Sequence, residues 1–259
     1  MVKPEHRQRY EVTAMTRTAD TVPAPIGVAA TVVLLRDGAG GPEVLLLERP
    51  RHRGSFAGAW VFPGGGVDPE DSVPTDAAAP SPDAASHPDA AEELAARRAA
   101  VREVREETGL EVSPGSLVCT ALWIPPASAP KRLRTWFYLT AAPAGAIVLA
   151  EDEVIDYAWL RPEAALERHA SAALMLVAPT WVTLHGLCGF GSVAGIIASA
   201  ARRGRARYET RLGASGSGPT LFWAGDVAYD DEALAEHAGG RHRLEIGDPP
   251  WVYSRSGPD

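Results

Sequence analysis

The chain of 259 residues is poor in cysteine and nearly devoid of lysine. Cys119 and Cys188 are its only cysteines, too few and too far apart for a disulfide scaffold or a cysteine zinc site. Lys3 and Lys131 are the only lysines, so almost all of its 25 basic residues are arginines, and 33 acidic residues leave a net charge of −8. That balance excludes an electrostatic nucleic-acid binder, which needs a basic face against phosphate. The seven histidines show no metal-ligand spacing, and no Gly-x-Ser-x-Gly elbow occurs. No apolar core of a signal peptide follows Met1, so residues 1–24 read as a polar flexible tail and the protein as cytoplasmic.

Charge is also missing from Ala170 to Ala201, a run long enough to raise the question of a membrane span. Pro179, Gly186, Gly189, Gly191 and Gly195 interrupt it, and Thr180, Thr183, His185 and Ser192 add polarity. The breaks predict two short buried helices, about 179–188 and 192–203, and no membrane partner. Gly189-Phe-Gly191-Ser-Val-Ala194 is a partial dinucleotide fingerprint with no convincing strand before it.

Elsewhere the pattern is that of an α/β protein. Ile26–Leu35 is apolar and β-branched and reads as a strand. A Gly-rich turn at 36–41 and a second strand at 42–48 make a hairpin, and Ala59–Phe62 reads as a third strand ending at Pro63-Gly64-Gly65-Gly66. Asp71–Ala90 alternates Pro, Asp and Ala with almost nothing to bury, which predicts a mobile loop. A helix over 91–108 follows, with Glu92 and Glu93 in its first turn, Gly109 as its cap, and Leu94, Val101 and Val104 toward a core. Strands are expected at 117–123, 135–139 and 154–160, a helix at 161–169, and strand-like runs at 220–223 and 251–253.

The chemistry concentrates in Arg102-Glu103-Val104-Arg105-Glu106-Glu107-Thr108-Gly109-Leu110. Helical spacing puts Glu103, Glu106 and Glu107 on one side, with Arg102 four residues before Glu106. Such a run is commonly a solvated face of ordinary ion pairs. Three carboxylates together also suit a hard divalent cation such as Mg2+. A strand ending in three glycines lies upstream, where backbone can approach a helix or a phosphate closely.

These residues resemble the Nudix box, Gly-x5-Glu-x7-Arg-Glu-U-x-Glu-Glu-x-Gly-U with U aliphatic. Its second half is matched at every fixed position by Arg102, Glu103, Val104, Glu106, Glu107, Gly109 and Leu110. Arg102 lies 37 positions after Gly65, where the pattern has 14, so 23 residues are inserted. The first box glutamate falls on Asp71 counted from Gly65, or on Leu94 counted back from Arg102. An insertion within the box, together with Trp60–Gly65, Arg132–Tyr138 and Ala178–Leu184, resembles the branch that includes a peroxisomal coenzyme A diphosphatase of animals and bacterial relatives. The resemblance covers about residues 25–190.

It implies an α/β/α sandwich with a mixed sheet over residues 25–190, the inserted loop at 71–90, and a helical and strand extension of unknown role over 191–259. It also implies hydrolysis of a nucleoside diphosphate linked to another group, with Mg2+ or Mn2+ held by Glu103, Glu106 and Glu107 and Arg102 orienting a box glutamate. A base or further ligand is expected from Glu151-Asp152-Glu153, chiefly Glu151 and Glu153, which otherwise form a solvated turn. Arg49, Arg51 and Arg53 suit substrate phosphates, as do the backbones of Gly65 and Gly66. Coenzyme A or an acyl-CoA is the first choice of substrate. ADP-ribose, NADH and nucleotide sugars are alternatives, as is a catalytically inactive ligand-binding regulatory module; a homodimer is compatible with any of these.

Overall fold

The β-branched run after Ile26 forms β1 (Ile26–Gly38), which turns into β2 (Gly41–Glu48) as the expected antiparallel hairpin. The computed structural model describes residues 24–52, 56–73 and 89–256. The expected tail therefore lies outside the described residues except for Ala24, as does most of the inserted loop.

β1 is the spine of an eight-stranded mixed sheet. It pairs antiparallel with β4 (Gly64–Gly66) and parallel with β6 (Arg132–Ala141). β3 (Trp60–Val61) and β7 (Asp156–Leu160) pair with β2, and β5 (Val118–Ile124) joins β6. β8 (Ala206–Glu209) extends the sheet parallel to β5.

Successive strand side chains point to opposite faces, and β1 fills both. Ala30, Val32 and Leu34 face α1 (Ala90–Thr108), whose buried seam is Ala96, Ala99, Ala100 and Val104. Leu94, expected toward this core, is half-buried and packs into neither main cluster. It lies about 200° around the helix from Ala96.

Val33 and Leu35 face the other way, toward α2 (Pro162–Ala170), α3 (Ala178–Leu187) and α4 (Val193–Arg203). The charge-free run thus splits into two helices, which bury Trp181, Leu184, Leu187, Val193 and Ile196. Among the described residues no helix is long and apolar enough to cross a membrane. The partial dinucleotide fingerprint follows helix α3, and its Ser192 caps α4 by accepting from the Gly195 N–H at 3.2 Å.

After β8 the chain builds a second, antiparallel sheet from β9 (Arg211–Ser215), β10 (Gly218–Phe222), β11 (His242–Glu245) and β12 (Val252–Arg255), in the order β12-β11-β10-β9. The sequence pattern showed β10 and β12 but not β8, β9 or β11. Those strands are four or five residues long and carry arginine, glutamate and histidine, which mask the alternation. No break in packing falls at residue 190, because Trp223, Leu244 and Trp251 share a core with Trp181 and Leu187.

Candidate metal centre and catalytic cleft

The last turns of α1 face β4, and Glu103 and Glu107, four residues apart, stand buried on that side. The Gly64 N–H donates to Glu107 Oε2 at 2.8 Å. Only glycine permits this approach. A Cβ on Gly65 would lie 2.4 Å from Glu103 Oε1, and one on Gly64 would lie 2.2 Å from the Ala30 carbonyl oxygen.

Arg102 organises the outer side. Its Nη1 meets Glu103 Oε1 at 2.8 Å and Glu106 Oε2 at 2.9 Å, and its Nη2 meets Asp71 Oδ2 at 2.9 Å. Asp71 foremost, with Glu103 and Glu106, outweighs partial burial and holds the guanidinium firmly protonated. Of the two candidates for the first box glutamate, the position counted from Gly65 is the one that reaches Arg102. Asp71 is 6% exposed and accepts from the Asp68 N–H at 2.9 Å, and its carbonyl accepts from Arg98 Nη1 at 2.8 Å. A short 3-10 turn, Pro69–Ser72, carries it toward the helix and makes up for a side chain one carbon shorter than glutamate. Asp71 is thus a buried exception in a segment expected to have almost nothing to bury; residues 74–88 lie outside the described residues.

A third carboxylate arrives from the loop after β6. The Val148 and Ala150 N–H groups donate to the Thr108 and Glu107 carbonyls at 2.9 and 3.4 Å, satisfying acceptors that a helix C-terminus leaves free. This tether sets the turn at 151–153 over the end of α1. Glu103, Glu107 and Glu153 each offer an oxygen within 4.8 Å of the other two, an arrangement that could hold a metal ion.

Glu106 and Glu151, both expected at the site, stand apart from this trio. Glu106 has a side chain 46% exposed and turned to Arg102, and Glu151 does not line the cleft. Burial pushes Glu107 up to about 8, against the Gly64 N–H and with the help of the Glu103 charge. Burial likewise raises Glu103, with Arg102 opposing it. Three anions here are unfavourable without a further cation.

The trio borders a cleft of about 490 Å3, also lined by Arg49, Gly64, Gly65, Gly66 and Asp152. Arg49 Nη1 lies 4.0 Å from Glu107 Oε1. Arg51 is instead turned outward to Glu48 at 2.9 Å, with a side chain 74% exposed, and Arg53 lies outside the described residues. Asp71, Gly64 and Asp152 complete the site beyond the residues expected from sequence. Counting six positions from Gly65 points to the first, and Asp152 sits within the acidic triplet already singled out.

The model of the NUDIX domain matches residues 25–79 and 86–177. A Nudix hydrolase from Alicyclobacillus acidocaldarius is similar in structure with a TM-score of 0.57 and 23% identity, over 67% of this chain and 96% of its own. A MutT Nudix hydrolase from Burkholderia pseudomallei is 22% identical over 62% of this chain and 97% of its own, with a TM-score of 0.42. The NUDIX domain of Shewanella oneidensis NrtR, complexed with ADP ribose, is 16% identical over 62% and 85%, with a TM-score of 0.43. No curated protein matches significantly.

Proposed function

Since the chain belongs to the NUDIX domain family and is a pyrophosphohydrolase of that family, we propose that it hydrolyses the diphosphate bond of a nucleoside diphosphate linked to another group, with coenzyme A or an acyl-CoA as first-choice substrate and Mg2+ or Mn2+ as cofactor. The observation that carries this reading is the convergence of Glu103, Glu107 and Glu153. Their donor set is oxygen only, which suits a hard cation. Arg102 balances Glu103 and Glu106, whereas Glu107 has Arg49 only at 4.0 Å, so the charge of the cluster is incompletely met by the protein. The long insertion in the box and the segments around Trp60 and Arg132 support coenzyme A over the alternatives, and the partner is then a small nucleotide-derived molecule in the cytoplasm.

Glu103, Glu107 and Glu153 would hold the metal, which supplies charge neutralisation of the diphosphate and a more acidic water. Asp71 fixes Arg102, and Arg102 fixes the orientation of Glu103, with Glu106 acting through the same guanidinium. Arg49 and the backbone of Gly65 and Gly66 bind and orient the phosphates. Asp152, at the open side of the cleft, accepts the proton of the attacking water. The water oxygen bonds to phosphorus, the bond to the bridging oxygen breaks, and each product leaves with one phosphate of the former diphosphate.

A panel of coenzyme A, an acyl-CoA, ADP-ribose, NADH and a nucleotide sugar, with Mg2+, Mn2+ or EDTA and products identified by mass, tests this. Two phosphate-bearing products from coenzyme A, lost in EDTA and restored by metal, are expected. Full turnover in EDTA would refute the metal role, and cleavage confined to another substrate would refute the coenzyme A assignment. Metal binding without cleavage of any compound would favour a ligand-binding module.

A further inference from the structure

A second cavity, of about 150 Å3, lies on the face of the sheet opposite α1, between the strands and helices α3 and α4. It shares no lining residue with the catalytic cleft. Val33, Ala121, Trp123 and Leu139 make an apolar floor. On α4 the lining residues are Ile196, Ser199, Ala200 and Arg203, a single stripe at helical spacing.

Three independent features distinguish this cavity from a packing void. Trp123 is 5% exposed, yet its Nε1 is buried with no hydrogen-bond partner. Buried indole N–H groups ordinarily find one, as Trp136 does with Glu92 at 2.8 Å and Trp223 with Thr210 at 3.0 Å. Gly186 sits within α3, where glycine is a poor helix former, and a Cβ there would meet nothing within 4 Å. Packing does not demand that glycine, and its effect is to leave the cavity wall open. Finally, Arg203, in the exposed last turn of α4, has neither an ion-pair nor a hydrogen-bond partner among the described residues, which places a solvated cation at the mouth of an apolar interior.

We propose that this cavity is a second ligand site, for a compact monocarboxylic acid. Its ring-sized or short-chain body would fill the apolar interior against the Trp123 indole, its oxygens would meet the Ser199 hydroxyl, and its charge would face Arg203. A largely apolar cavity of this size accommodates a ring-sized molecule. The site is independent of the hydrolytic chemistry on the other face of the sheet.

Titration of the 15N-labelled full chain with benzoate, hexanoate and benzyl alcohol tests the assignment through the tryptophan indole N–H resonances. One resonance, identified as the one lost in Trp123→Phe, should shift saturably with benzoate or hexanoate. Gly186→Leu fills the space and should abolish the shift while the melting temperature holds or rises. Arg203→Gln should weaken benzoate by about tenfold, the size of one lost charge-assisted contact. Turnover in the catalytic cleft should be unchanged in both variants.

Absence of a saturable shift with every probe, or undiminished binding in Gly186→Leu, would overturn the site. Benzyl alcohol binding as tightly as benzoate would overturn the anionic ligand class. Should Gly186→Leu fail to fold, Ala200→Leu fills the same space from the facing helix and is judged by the same readings.

Discussion

Alanine at Gly65 should separate the geometry of the metal centre from the stability of the fold. The new Cβ would stand 2.4 Å from Glu103 Oε1 and 2.5 Å from its Cδ. Since ordinary contacts begin at roughly 3.4 Å, the carboxylate must withdraw by about 1 Å. It sits at the end of a flexible side chain, and Gly65 has no left-handed backbone angle to strain, so the retreat costs the fold little. It costs the site much more, because Glu103 leaves both its 2.8 Å contact with Arg102 and the carboxylate trio. A misplacement of about 1 Å is worth roughly a hundredfold in rate.

Gly64→Ala makes the contrast. Its Cβ would lie 2.2 Å from the Ala30 carbonyl oxygen and 2.6 Å from Thr31 Cα. Both are backbone atoms of β1, so relief means parting β4 from the sheet. Overpacking of this kind costs about 1–3 kcal/mol or more, which in a chain of this size lowers the melting temperature by about 3–10 °C. Differential scanning calorimetry with kcat and Mn2+ titration reads all three quantities. Gly65→Ala should melt near the parent temperature with kcat down about a hundredfold, and Gly64→Ala should melt early. Full turnover in Gly65→Ala, or early melting equal to that of Gly64→Ala, would refute the reasoning.

Glu107→Gln should lower kcat by about two to three orders of magnitude, and Glu106→Gln by about tenfold or less, since Glu106 reaches the site only through Arg102; equal losses in steady-state assays would return Glu106 to the ligand set. Asp71→Ala removes the foremost partner of Arg102 and should cost about 1–3 kcal/mol of stability and reduce kcat with little change in KM, whereas Asp71→Glu should restore most of both. Unaltered kinetics in Asp71→Ala would show that Arg102 is held without it. Stability should also depend on acid. Burial would raise Asp226, but Arg243 and the His242 and Ala228 N–H groups more than offset this and hold it below the usual carboxylate range. Burial likewise lowers His169 and His242, each against an opposing backbone hydrogen bond. A depressed folded value means that stability is present above the unfolded pKa and lost as pH falls through the folded one. The histidine contribution should therefore be lost below about pH 6.5 as the histidines charge and the Asp226 contribution below about 3.9 as it protonates, whereas the raised Glu107 works the other way, its contribution fading as pH rises toward about 8. Asp226→Asn should abolish the second acid loss in melting temperature, and its persistence would place the acid sensitivity elsewhere.

The parts of the molecule legible in its sequence are those where a single force dominates. The hairpin of β1 and β2 shows as two apolar runs around glycines, and α1 as a repeat of small residues with a glycine cap. Glu103 and Glu107 are visible because helical spacing fixes their side. That same spacing also groups Glu106 with them, and only the position of β4 shows that the narrow seam admits two of the three. The third oxygen donor comes from Glu153, brought over by two backbone hydrogen bonds to the end of α1, and nothing in the acidic triplet itself says which member will face inward. The insertion leaves Asp71 and Leu94 as rival candidates for the first box position, and with 31 positions between Asp71 and Arg102 nothing in the spacing favours Asp71. Strand β11 was hidden because its inward Arg243 is buried and charged, paired with Asp226 at 2.7 Å, so hydropathy reads a core position as surface.

The way β8 and the second sheet join the rest has a consequence for how the protein unfolds. β8 covers the edge of β5, and its neighbour Arg205 lies over the Trp136 ring at 4.7 Å and reaches toward Asp89 and Glu93 at the start of α1. Trp223 and Trp251 pack edge-on or tilted against Trp123 and Trp181. Elements this interlocked lose their partners together, so the chain should melt in one cooperative transition, without a separately folding C-terminal unit. A chain cut after residue 190 would bare the backbone edge of β5 beside exposed tryptophan faces, a template for strand addition between molecules. The C-terminal segment thus completes the core and covers the one edge of the large sheet that its removal would bare.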